Sequence, residues 1–374
     1  MTESTSHLTA TQAAARLGVK PATLYAYVSR GLVDRQTSAD GRRSLFDPDD
    51  IARLARRRAG HRTPSDVTVA SELTLVDAPN GRLWFRGLDA MRLCQQRTFE
   101  EVAWFLWTGQ LTRQRWLAVR TADAPESGVA LPLVAAAMAE RRGDLKTPDE
   151  AAELMAALID GLGATTQATG IAAVLAEKMC GRAADRATVR TISTALSLNC
   201  EHGMTAATLA ARLAAASGGG LAHALTAAMA VAASEVRALT EVEVALSAGS
   251  PIGDLDAGTI SAVFPKEPYR SSDPRAGVVF EMLGEGTSTA QRPRGAGPAS
   301  ATFALVAVAR SCGMPVGSAA TLLLIARSAG WIAHALEEGR QPTPYRPRLA
   351  YTGPAPRPPA PRALDAVRGY LSDD

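Results

Sequence analysis

Cysteine is scarce. The 374 residues hold four, Cys94, Cys180, Cys200 and Cys312, far apart and with no C-x-x-C pair. This excludes a disulfide-stapled scaffold and a cysteine zinc site, so no metal is expected, and it predicts reduced thiols in a cytoplasmic protein. Aromatics make up 5% of the chain against 47% hydrophobic residues, much of that alanine. Such a composition favours closely packed helices over a sandwich of sheets. A basic-then-apolar leader, a G-x-G-x-x-G run and a P-loop are all missing. The most apolar stretch, 221–233, is too short to span a bilayer and contains His223, so no membrane segment is expected.

What is there is length enough for more than one domain, and an uneven charge. The net charge is +3, but residues 1–62 carry eleven Lys/Arg against six acids, a net +5, which leaves −2 on the remainder. An anionic partner for the N-terminal piece follows from that asymmetry. The same piece reads as helix, turn, helix. Residues 8–19 form an amphipathic helix capped by Thr9 or Thr11, Gly18-Val19 turns the chain, and Pro21 opens a second helix that Gly31 ends. A turn at 38–41, an extended wing at 43–46 and a third helix capped by Asp47 complete it.

Thr23, Leu24, Tyr25, Tyr27, Gly31 and Leu32, followed by Gly41, Arg43, Phe46 and Asp50, make this module similar to the MerR-type winged helix–turn–helix. The resemblance implies a helix carrying Thr23, Tyr25 and Tyr27 into the DNA major groove, with Arg42 and Arg43 on phosphates. The other reading is a fused helical appendage used for dimer contacts. Residues 59–67 are the linker.

Beyond it, alternating apolar positions around Asn80-Gly81 predict a hairpin over 68–88. Thr98 with Glu101 forms a capping box at the start of the helix 98–107. Residues 112–197 are a succession of amphipathic helices broken at Gly and Pro. The stretch 198–237 is two Ala-rich helices separated by Ser217-Gly218-Gly219-Gly220, with His202 ahead of the first and Thr205 as its N-cap.

Gly81-Arg82-Leu83, Thr98 to Trp107, His202 with its helix pair, Asp273-Pro274-Arg275-Ala276, and Ile325-Ala326-Arg327 through His334 together resemble the citrate synthase family. The resemblance implies a mainly α-helical body of large and small domains behind the winged helix–turn–helix. Its boundaries are 1–62 for the MerR-like module, 63–237 for the large domain, 238–302 for a shortened small domain, and 303–374 for the rest of the large domain. It also implies a homodimer.

For the site, the resemblance implies a pocket for a di- or tricarboxylate such as oxaloacetate or citrate, held by His202, Arg275, Arg327 and, from the partner subunit, Arg346. A planar guanidinium suits a carboxylate because it donates two parallel hydrogen bonds. The bland alternative makes each arginine an ordinary ion-pair partner.

The family's reaction uses two histidines and an aspartate, and here the matching positions are Arg237, Lys266 and Thr302. His223 cannot stand in for the first histidine without deleting about a whole helix. Threonine is no base at neutral pH. The polar loop 284–300 falls on the acyl-CoA side, where Arg292 and Arg294 face either phosphates or solvent. The expectation is a catalytically silenced, ligand-responsive, DNA-binding protein with no bound cofactor. The alternative is an active acyltransferase that condenses acetyl-CoA or another acyl-CoA with a 2-oxo acid using altered residues.

Overall fold

A computed structural model describes residues 7–29, 33–38, 43–48, 50–51, 69–113, 131–142, 144–162, 168–264, 269, 273–284 and 299–345. The linker, Gly31, Leu32, Gly41, Arg42, Lys266, the arginines of the 284–300 loop, Arg346 and the tail lie outside these residues. The chain divides into two compact units, the larger being Val69–Pro344.

In the smaller unit, β1 (Leu8–Thr9) leads directly into α1 (Ala10–Leu17). Thr9 accepts from the Gln12 amide while Gln12 reaches back to the Thr9 amide, a reciprocal capping box. Gly18 ends the helix at φ +62°, a left-handed conformation that suits glycine. The helix α2 (Pro21–Ser29) follows. A three-stranded antiparallel sheet places β3 (Ser44–Phe46) between β1 and β2 (Gln36–Thr37), with Leu8 opposite Phe46 and Gln36 opposite Leu45. Ala13, Ala14, Leu24, Val33, Phe46 and Ile51 form its core. The wing is therefore the central strand of the sheet, and the segment ahead of α1 is its edge rather than part of the helix.

The larger unit opens on the hairpin. Strands β4 (Thr74–Asp77) and β5 (Arg82–Phe85) pair from Thr74–Phe85 to Asp77–Arg82, with Asn80-Gly81 in the turn, and β6 (Leu88–Asp89) adds to β5. The regular elements that follow it in the described residues are helices: α3 (Ala90–Gln96), α4 (Phe99–Thr108), α5 (Leu131–Arg141), α6 (Pro148–Asp160), α7 (Ile171–Cys180), α8 (Arg186–Asn199), α9 (Ala206–Ala216), α10 (Leu221–Val231), α11 (Ala233–Ser247), a 3-10 turn (Ile252–Asp254), α12 (Ala257–Val263), α13 (Pro274–Leu283), α14 (Ala301–Ser311) and α15 (Ser318–Arg340).

The organising element is α15. It packs against α4, α6, α8, α9, α10, α11 and α14, and the Trp107 indole donates to the Ala329 carbonyl at 2.9 Å. Among the described residues it is the one helix long and apolar enough to cross a membrane, with mean hydropathy 1.4, and 89% of that window is buried inside the fold. It is longer than the apolar stretch 221–233, and its apolar character reflects burial on all sides.

Candidate functional site

The site begins where α8 ends. Cys200 caps that helix, and residues 201–205 loop across to Thr205, whose side chain accepts from the Thr208 amide to start α9. The loop lies against α15 because residue 330 is glycine. A Cβ there would stand 2.1 Å from the Cys200 carbonyl oxygen and 2.7 Å from Glu201 Oε2.

Beneath the loop is a buried polar network. Arg212 donates to His334 Nδ1 at 3.0 Å, and pairs with Glu337 at 2.5 Å and Glu338 at 2.6 Å. An arginine can only donate, so His334 Nδ1 is the acceptor and its proton sits on Nε2. That nitrogen faces Glu201 Oε1 at 3.3 Å. Glu201 in turn accepts from the Gly203 amide at 2.5 Å. The loop carrying His202 is thus tied to α9 and α15.

His202 turns the other way. Its Nε2 is 3.1 Å from the Tyr269 hydroxyl, and the two rings lie 5.4 Å apart at 51°. Burial, reinforced by the positive charges of Arg275 and Arg327, pushes the His202 pKa down to about 2. Tyr269 is buried as well, and desolvation pushes its pKa up to about 12. Both groups are therefore neutral and able to hydrogen-bond at ordinary pH.

Arg275 is 4% exposed. Asp273, the N-cap of α13, holds it from two sides, through Nε at 3.1 Å and Nη2 at 2.9 Å. The same carboxylate accepts the Arg275 and Ala301 amides, which joins the starts of α13 and α14. Nη1 of Arg275 is buried and has no hydrogen-bond partner among the described residues. Arg327, on α15, is half-buried and carries no ion pair among them.

A neutral histidine, a fixed guanidinium with a spare buried donor and a second guanidinium thus share one electrostatic environment. Most buried polar groups are satisfied, so the orphan Nη1 marks a place where an acceptor belongs. The donor set suits a carboxylate.

The other predicted residues are placed as follows. Arg237 lies on α11, two-thirds exposed, paired with Glu241 on its own helix at 2.6 Å. Thr302 is buried in the first turn of α14, and its Oγ1 is 3.3 Å from Glu235 Oε1. Lys266 and Arg346 lie outside the described residues. In the smaller unit Tyr25 is 40% exposed and donates to Ser44 Oγ at 3.2 Å. Tyr27 packs partly against the core, Thr23 is half-buried, Arg43 is exposed, and Arg42 is not described.

Sequence reasoning missed Tyr269, Asp273 as the holder of Arg275, and Glu235. The first two were signalled by their place beside Arg275. Glu235 gave no local signal, because its partner is 67 residues away.

Residues 8–59 match the profile of the MerR HTH regulatory protein family, and residues 65–127 match the citrate synthase C-terminal domain. The "Putative citrate synthase 2" of Mycobacterium tuberculosis and that of Mycobacterium bovis are 31% identical over 199 residues, covering 46% of this chain and 53% of each relative. The chain thus spans about half the length of the curated relatives it matches. Among solved structures, citrate synthase from Thermotoga maritima superposes with a TM-score of 0.60 at 19% identity, over 81% of this chain and 98% of that one. The ternary complex of the Thermoplasma acidophilum enzyme with carboxymethyl coenzyme A and oxaloacetate gives 0.57 at 19%, over 80% and 97%. Citrate synthase from Pyrobaculum aerophilum gives 0.56 at 21%, over 89% and 98%. The solved structures show that the chain shares the citrate synthase fold, and its N-terminal piece matches the profile of the MerR-type helix–turn–helix.

Proposed function

We propose that the larger unit binds a small di- or tricarboxylate at His202, Arg275 and Arg327, and that occupancy is signalled rather than converted by the family's condensation. The observation that carries the binding is the buried, unpartnered Nη1 of Arg275, held by Asp273 in the field of Arg327 and beside neutral His202. The solved relative from Thermoplasma acidophilum holds oxaloacetate, which makes oxaloacetate and citrate the first ligands to try.

The silencing rests on Arg237, Lys266 and Thr302: a lysine can still polarise a carbonyl, but a threonine is no base at neutral pH without a partner. In a homodimer, Arg346 of the partner subunit would complete the pocket, residues 238–302 would form the small domain over it, and two helix–turn–helix units would face a two-fold DNA site. The +5 charge of residues 1–62 supports the DNA reading.

The test combines two measurements on the full chain. Oxaloacetate or citrate should raise the melting temperature, and acetyl-CoA with oxaloacetate should release no thiol above background. Thiol release at ordinary enzyme rates would replace this reading with the alternative, an active acyltransferase. Absence of any carboxylate-dependent shift would remove the pocket.

A further inference from the structure

Glu235 stands in the first turn of α11, half-buried, and its carboxylate meets the Thr302 hydroxyl at 3.3 Å. Among the described residues it carries no ion pair. This separates it from Glu241, which pairs with Arg237, and from Glu337 and Glu338, which neutralise Arg212. Asp256 is occupied by the amides and hydroxyl of its own helix.

Thr302 connects Glu235 to the anion site. It follows Ala301, whose amide donates to Asp273, and Asp273 grips Arg275. The starts of α11, α13 and α14 thus lead from an uncompensated carboxylate through Thr302 and Asp273 to the guanidinium of Arg275. Thr302 is 5% exposed and has one hydroxyl proton to give. Donating it to one carboxylate oxygen fixes the orientation of Glu235 and leaves the other oxygen available.

We propose that Glu235 is a proton acceptor and donor for a 2-oxo dicarboxylate bound at the Arg275–Arg327–His202 site, and that the protein interconverts the keto and enol forms of that ligand. The inference rests on the pocket reading above. In the forward step Glu235 takes a proton from the carbon next to the ketone. The C–H electron pair becomes the C=C bond, the carbonyl pair moves onto oxygen, which takes a proton from water, and the Glu235 carboxylic acid gives its proton to the hydroxide left behind. In reverse, water protonates Glu235, the hydroxide so formed takes the enol hydroxyl proton, and the Glu235 carboxylic acid delivers its proton to carbon. Nothing is oxidised or reduced and no second substrate is consumed. The guanidiniums of Arg275 and Arg327 supply the positive field that steadies the enolate, and Thr302 is a positioning residue.

The experiment uses the full chain and the enol form of oxaloacetate, with ketonisation followed by the fall in ultraviolet absorbance after rapid mixing. Wild type should speed ketonisation in proportion to protein concentration, and Glu235→Gln should lower that catalysed rate about 100-fold or more. Thr302→Val should lower kcat with KM unchanged. Oxaloacetate should raise the melting temperature of wild type and Glu235→Gln equally, which shows that the variant is folded and its pocket intact. A thermal shift without acceleration, or acceleration that survives Glu235→Gln, overturns the proton-transfer role and leaves the pocket reading standing. Absence of both shift and acceleration overturns the two together.

Discussion

Neutral His202 gives stability a defined dependence on pH. In the unfolded chain a histidine titrates at its ordinary 6.5, whereas in the folded protein burial and the two guanidiniums hold His202 at about 2. The folded state therefore refuses a proton that the unfolded chain accepts. The stability contribution is complete above the unfolded value and is lost as pH falls from 6.5 toward 2. The slope in that window is about 1.4 kcal/mol per pH unit, so lowering the pH from about 7.5 to about 5.5 costs about 1.3 kcal/mol through this residue alone.

Other carboxylates and histidines titrate as well, so the quantity to measure is the difference from His202→Gln, which keeps a hydrogen-bonding side chain facing Tyr269 and cannot titrate. Urea unfolding followed by tryptophan fluorescence reports on the larger unit, since all five tryptophans lie between residues 84 and 331. Wild type should lose about 1.3 kcal/mol more than the variant over that interval. Equal losses, or a wild type that gains relative to the variant on acidification, would refute the placement of His202 as a buried neutral ring among positive charges.

Three further outcomes follow from the same framework. Gly330→Ala drives a methyl into the Cys200 carbonyl, which should destabilise the larger unit by roughly 1–3 kcal/mol in urea and weaken carboxylate binding by displacing the His202 loop. Arg212→Met removes the ion pairs to Glu337 and Glu338, so a loss of about 3–5 kcal/mol is expected in urea unfolding. Arg43→Ala in the smaller unit should weaken DNA binding about equally on all sequences and flatten its dependence on salt, as a phosphate contact does.

The parts of the fold legible in the sequence are those set by neighbours in the chain. Asn80-Gly81 specifies its hairpin turn, Thr98 and Glu101 their capping box, and Thr205 the start of α9, because each acts within four residues. The Ser217–Gly220 break likewise separates α9 from α10. Arg275 was legible through its Asp-Pro-Arg-Ala setting, although the reason it is held rigid, Asp273 gripping it while also tying down Ala301, is a property of three helix starts meeting. Glu235 was not legible at all. The family resemblance puts its histidine position at Arg237, two residues on, whereas helical geometry turns those two positions to different sides. Gly330 looked like one more small residue in a helix, and its role appears only when the Cys200 carbonyl is seen against it.

The central claim is that Arg275 and Arg327 form a working carboxylate site, and titration calorimetry tests it most directly. Full-length protein is titrated with oxaloacetate and with citrate, alongside Arg327→Gln, whose side chain makes no ion pair among the described residues and whose loss should leave the fold intact. A charge-assisted contact is worth about 1.5–3 kcal/mol, so the account predicts saturable binding of at least one of the two by wild type and about 10- to 100-fold weaker binding by the variant. Equal affinity in the two proteins, or no binding of either carboxylate to wild type, would contradict it.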